Sequence, residues 1–211
     1  MKVFVVGGSG RVGTALIKDL VQAGHVVAAG SRHPEKIIRA KNVTPVKLDL
    51  HADLPELEKT IGHPDVIYFT AGSNGSDLLQ TDAMGAVKTM KAAEANNVHR
   101  YIMLSAMFPL EPEKWRENGL MVYADYKIAK FFADNYLVNQ TKLAYTILSP
   151  TNLTEEKGTG KITIDSGKVA TNPIPDVALT LAKILDHPNT EGKIMMMRTG
   201  ETPIDTALES V

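Results

Sequence analysis

The chain of 211 residues contains no cysteine, which excludes disulfides, thiolate metal sites and cysteine nucleophiles. It has no surplus of charge either: 23 lysines and arginines face 24 aspartates and glutamates, and no basic run occurs. Nucleic acid is therefore not an expected partner, because its binding rests on neutralising many phosphates. Long hydrophobic runs are also missing. The opening apolar stretch, Val3 to Val6, ends at a glycine after four residues, too short for a signal-peptide core or a membrane span. No membrane partner and a cytoplasmic setting are the expectation. Six histidines lie scattered with no close pair at ligand spacing, so no metal is expected.

What is present is an ordinary globular mixture, in a chain long enough to bury a core without staples. Short β-branched and apolar runs at 3–6, 26–29, 43–48, 66–70, 101–104 and 145–148 read as buried strands. Amphipathic stretches at 12–23, 34–39, 54–60, 77–97 and 122–139 read as helices, with Asp77 as N-cap and Asn96–Asn97 as stop for the fourth. Alternation of this kind predicts parallel pairing through crossover helices. The strands lack in–out alternation, which fits a sheet covered on both faces. The expected fold is α/β, a doubly wound, Rossmann-type parallel sheet in a single domain over 1–211. After Pro150 the pattern changes to a polar turn, a strand at 161–164, a helix at 175–185, a strand at 193–197 and a helix at 202–209. This part is expected as a minor C-terminal lobe on the substrate side.

Gly7-Gly8-Ser9-Gly10-Arg11-Val12-Gly13 follows the first strand and opens the first helix. In this spacing Gly7 permits the tight turn, Gly10 lets backbone approach a pyrophosphate, and Gly13 lets helix pack closely on strand. The diphosphate of a dinucleotide would sit at the helix N-terminus, where free N–H groups and the dipole favour negative charge. The second strand then discriminates between coenzymes. An NAD site usually has Asp or Glu there to hold the ribose hydroxyls. This chain has Gly30-Ser31-Arg32-His33 instead. Arg32 offers a planar guanidinium and Ser31 a hydroxyl to a 2′-phosphate, and Arg11 could reach the same group, so NADP(H) is expected over NAD(H).

Tyr126 and Lys130 stand four apart, on one face of the predicted fifth helix. A nearby ammonium favours the phenolate and would lower the phenol's pKa toward neutrality. Tyr126 could then exchange a proton with a substrate oxygen. Ser105, at the carboxyl end of the fifth strand, could orient that oxygen, since ligands of open α/β sheets bind at that edge. Tyr123 and Lys127 repeat the same spacing, so spacing alone does not select the pair. The segment from Phe108 to Trp115 reads either as a loop closing over substrate or as a rigid surface loop with Trp115 in a crevice.

Glycine loop, Ser105 and Tyr126-x-x-x-Lys130 occur in the order of the short-chain dehydrogenase/reductase superfamily. The sequence resembles its atypical branch of small NAD(P)H-binding proteins, with biliverdin/flavin-reductase-like and epimerase-like members. The likeness runs from Met1 to about Ala182 and includes Asp49-Leu50, Ala71-Gly72, Gly158-Thr159-Gly160 and Asp176-Val177-Ala178. It implies that Asp49 and Leu50 border the adenine, and that Ala71, Gly72 and Ser73 line the cofactor groove. Lys130 would touch the nicotinamide ribose, with Pro150, Thr151, Asn152 and Leu153 near the nicotinamide. The relay asparagine of many relatives is not evident; Lys88 lies near its place. Three readings follow. One is an NADPH-dependent reductase of a small carbonyl, quinone or flavin-like acceptor, with solvent supplying the proton as a variant. The others are an NADP(H)-binding redox sensor and a small epimerase or dehydratase. A small-molecule substrate and a monomer or small homo-oligomer are expected.

Overall fold

The computed structural model describes residues 1–164 and 167–211. Strand β1 (Lys2–Val6) leads through the glycine turn into α1 (Arg11–Gln22), and β2 (Val26–Ser31) and β3 (Val43–Lys47) follow. Helix α2 (Leu54–Ile61) precedes β4 (Val66–Phe69), and α3 (Ala86–Ala95) precedes β5 (Arg100–Leu104). Then come α4 (Pro112–Glu117), α5 (Ala124–Gln140) and β6 (Ala144–Pro150). The remainder forms β7 (Asn152–Thr154), β8 (Lys161–Ile164), β9 (Thr171–Pro173), α6 (Ile174–Lys183), β10 (Lys193–Thr199), β11 (Thr202–Pro203) and α7 (Ile204–Glu209).

The main sheet has the order β11-β8-β10-β6-β5-β4-β1-β2-β3. From β3 to β10 every neighbouring pair is parallel, while β8 runs antiparallel to β10 and β11. The strand order reverses beside β1, between β2 and β4, and this switch point opens a crevice at the carboxyl edge. The segment after Pro150 lies at one end of the sheet, with β10 and β8 hydrogen-bonded into it; β7 and β9 form a separate parallel pair.

Successive residues of β1 feed opposite faces. Val3 and Val5 pack with Leu16, Ile17 and Leu20 of α1 and with Val177 and Leu181 of α6. Phe4 and Val6 pack with Leu57 of α2, Met90 of α3 and Leu137 of α5. Each such large side chain buried from water contributes roughly 1.5–3 kcal/mol. Two-sided burial explains why the strands show no in–out alternation.

Several elements depart from the sequence expectation. The stretch at 34–39 makes only a single 3-10 turn at Pro34–Lys36, too short to propagate as a helix. The helix expected at 77–97 is interrupted: Leu78–Gly85 winds as a π-helical segment before α3 begins. Asp77 does not cap it through its side chain, because its carboxylate takes His51 Nε2 at 2.6 Å and the Thr81 hydroxyl at 2.5 Å. Asn96 does stop α3, and its amide donates to the carbonyls of Glu58 and Gly62. The segment after Phe108 contains α4, with Trp115 buried and its indole N–H donating to the Phe108 carbonyl at 2.8 Å. Trp115 thus fills a crevice with Met107, Phe108 and Leu120. No helix among the described residues is long and apolar enough to cross a membrane.

Candidate functional site

The turn between β1 and α1 is built around atoms that are missing. Gly7 has φ +88°, and a Cβ there would lie 2.6 Å from the Ala71 nitrogen. At Gly13 a Cβ would lie 2.3 Å from the Gly7 carbonyl oxygen. Both distances are impossible for real side chains, so only glycine lets α1 seat on the ends of β1 and β4. The Gly7 and Gly8 N–H groups donate to the Gly30 carbonyl, and Gly10 N–H donates to Gly7. Helix α1 starts at Arg11 with no side-chain cap and no acidic residue in its first turn. Its first N–H groups therefore face the crevice without an intrahelical partner, a cradle that fits a diphosphate.

One cleft of about 930 Å³ runs from this cradle along the carboxyl edge. Of the residues expected to form the site, it is lined by Gly7, Ser9, Gly10, Arg11, Val12, Ser31, Arg32, Leu50, Ala71, Gly72, Ser105, Tyr126, Lys130, Pro150, Thr151, Asn152 and Leu153. Three expected residues do not line it. Gly13 sits behind the turn as a packing glycine. Asp49 turns back to accept the His51 N–H at 3.0 Å, because the chain bends there into an Asx-type turn. Ser73 is buried, its N–H donating to Asp82 at 3.1 Å. Lys88 is also outside, bonded to the Ala52 carbonyl.

At the phosphate end the Ser9 and Ser31 hydroxyls meet at 2.6 Å, and the His33 N–H donates to Ser31 at 3.0 Å. Arg32 stands exposed at the mouth. Arg11 is already engaged, in an exposed ion pair with Glu155 at 2.9 Å. Beyond the cradle Thr151 is fixed by Asn172, whose Oδ1 accepts both its N–H (2.8 Å) and its hydroxyl (2.9 Å). Asp176 clamps the next turn, accepting from Thr159 and Gly160 backbone N–H groups. The Gly158-Thr159-Gly160 and Asp176 marks are thus two sides of one loop contact.

The other end is a buried polar cluster. Ser105 donates its hydroxyl to Asp134, which is fully buried; among the described residues the second Asp134 oxygen has no hydrogen-bond partner. Lys130 donates to the Leu104 carbonyl at 2.7 Å and lies 5.6 Å from the Phe69 ring centroid. Burial lowers the Lys130 pKa, opposed by Asp134 and Asp82. The expectation for Tyr126 is corrected here. Its pKa is raised, not lowered, because burial and the charges of Asp82 and Asp134 oppose the phenolate. The expected role of Ser105 is narrowed as well: with its proton committed to Asp134, the hydroxyl can offer a ligand only a lone pair.

Asp82, Asp134 and Lys127 were not among the expected site residues. Asp134 follows Lys130 by four and Tyr126 by eight, so the face shared by that pair carried a signal. Asp82 is carried into the cleft by the π-helical segment, which no spacing rule announces. The Tyr123–Lys127 pair, indistinguishable by spacing, also lines the cleft.

A glycine cradle at the switch point of a doubly wound sheet, joined to a tyrosine–lysine face at the same edge, defines a dinucleotide-binding protein of the atypical short-chain dehydrogenase/reductase kind. The chain matches the NAD(P)H-binding family over residues 7–188 and belongs to it. It is 43% identical to the solved oxidoreductase ylbE of Lactococcus lactis, with a TM-score of 0.97 over 100% of this chain and 96% of that one. A Bacillus halodurans structure, provisionally named an NAD-dependent epimerase/dehydratase, is 32% identical with a TM-score of 0.88 over the full length of both. An uncharacterized sugar epimerase of Bacillus subtilis (strain 168), YhfK, is 33% identical over the full length of both.

Proposed function

We propose that this protein is an NADPH-dependent oxidoreductase that reduces a small carbonyl, quinone or flavin-like acceptor. The observation that carries this reading is the single cleft joining the glycine cradle to Tyr126, Lys130 and Ser105. Bound coenzyme would supply the hydride. The first turn of α1 would hold its diphosphate, and Arg32 its 2′-phosphate, since no carboxylate stands at the end of β2 to claim the ribose. Arg11 would have to exchange Glu155 for that phosphate.

Burial and the charges of Asp82 and Asp134 keep the Tyr126 phenol protonated, a form that can give a proton to an oxygen gaining charge, though as a weaker acid than a free tyrosine. Lys130, anchored on Leu104, would steady the oxygen end of the acceptor.

Two measurements test the proposal. In calorimetric titrations NADPH should bind at least about tenfold tighter than NADH, and Arg32→Ala should remove most of that margin. Tighter binding of NADH by the wild type would refute the phosphate assignment. In an acceptor panel followed by NADPH oxidation, Tyr126→Phe should lower kcat by about 10²–10⁴-fold with coenzyme affinity kept. Unchanged turnover would mean that solvent supplies the proton, and binding without any turnover would favour a sensor. The epimerase reading rests on the names given to relatives. Conversion of a sugar epimer with no net change in coenzyme would support it.

A further inference from the structure

Lys127 is buried, at 5% exposure, yet it lines the cleft just beyond Tyr126. Its ammonium has three protons to donate. One goes to the Met107 carbonyl at 2.5 Å, and the group lies 5.5 Å from the Trp115 ring centroid. Among the described residues it has no ion pair. Burial lowers its pKa to about 8, which leaves it mostly charged at neutral pH, and Asp134, seven residues along the same helix, opposes that shift; the Asp134 carboxylate is shared with Lys130 and hydrogen-bonded by Ser105. The field of Asp82 falls on Tyr126 and Lys130 instead. A desolvated cation with donors to spare is held at a disadvantage until an anion meets it. The walls beside it, Met107 and Leu120, are apolar and buried.

From this geometry we infer that Lys127 is the specificity-determining cation of the acceptor end, and that the acceptor is a small molecule with an apolar body and an anionic oxygen group, carboxylate or phosphate. The inference rests on the reductase reading, since it assigns the acceptor of that same cleft. Lys127 would donate its remaining protons to the anionic group, leaving the reducible carbon to face Tyr126. The cations at the opposite end, Arg11 and Arg32, are taken up by coenzyme phosphate in this scheme. A neutral acceptor of equal shape would leave the buried ammonium unmatched, and discrimination follows from that loss.

Trp115 is the chain's one tryptophan and lies beside Lys127, so its fluorescence reports occupancy there. With saturating NADP⁺ present to occupy the cradle, the protein is titrated with benzoate, phenyl phosphate and neutral benzamide. At least one anion should bind about tenfold or more tightly than benzamide. The tighter of the two anions identifies the group as carboxylate or phosphate. Lys127→Gln keeps a donor for the Met107 carbonyl but loses the charge, and should erase the preference; Lys127→Arg should keep most of it. Equal binding of benzamide, no saturable signal from either anion, or a preference that survives in Lys127→Gln would overturn the inference. A purely structural lysine predicts that Lys127→Gln weakens anions and benzamide alike and leaves their ratio as in the wild type. Binding is read without turnover, so anion preference in a protein that oxidises no NADPH would sink the reductase proposal and leave the anion site standing.

Discussion

At the scale of single residues, Asp134 illustrates how position in the fold rewrites side-chain chemistry. Burial lifts its carboxyl to about 6, against the opposing pull of Lys130, the Ser105 hydrogen bond and Lys127. In an unfolded chain an aspartate titrates near 3.9 (approximately). The folded value is the higher one, so the protonated carboxyl favours the fold. That contribution is fully present below about pH 4 and is lost as pH rises through about 6. The difference corresponds to about 3 kcal/mol. Asp134→Asn keeps an acceptor for Ser105 and cannot ionise. Denaturant unfolding at pH 4 and pH 7 should therefore show the wild type losing up to about 3 kcal/mol relative to the variant over that interval. Parallel pH dependence in the two proteins would refute the buried-ionisation account. Tyr126 belongs to the same lesson: its lysine neighbour was plain from the spacing, but burial raises its pKa most, and the carboxylates that add to this come from Asp82 in another element and Asp134 two turns on.

Elements are governed by contacts between backbone segments. Helix α1 docks so closely on the glycine turn that Gly13 has no room for a methyl group. Gly13→Ala should shift the helix start, destabilise the protein by about 1–3 kcal/mol and weaken NADPH binding at least tenfold. Thermal unfolding and calorimetry check both, and a fully retained affinity would mean that the cradle is not the diphosphate site. Here the glycine pattern was legible without a structure, because tight turns leave a local mark. The π-helical segment left none. A hydrophobic run at 77–97 reads as one helix, while the wider turns between Leu78 and Gly85 shift the phase and aim Asp82 at the cleft.

For the molecule as a whole, the C-terminal segment completes the core under α6. Ile204, Ala207 and Leu208 of α7 are buried in the same cluster as Val177 and Leu181. A chain ending at Gly200 would lose two large buried side chains and the β11 edge contact with β8. The expected cost is about 3–6 kcal/mol, a large fraction of the usual 5–15 kcal/mol (about) of a domain. Circular dichroism should show a lower, broader melt; an unchanged melting temperature would mean that α7 is dispensable. The packing also unites residues far apart in the chain, as in the ion pair of Arg11 with Glu155 across the cleft mouth. Tyr68 does the same in the core, where its hydroxyl ties β4 to the Leu181 carbonyl of α6.

Strand–helix alternation, the glycine turn, the missing acid after β2 and the Tyr126–Lys130 face were all determined by the sequence alone, because each depends on residues within a turn or two of one another. The partner of Ser105, the depth of Lys127, the engagement of Arg11 and the insertion of β10 beside β6 were decided only by the tertiary structure. Sheet order sets which distant side chains meet, and burial sets how much of a charge water can still screen. Neither quantity has a local period to read.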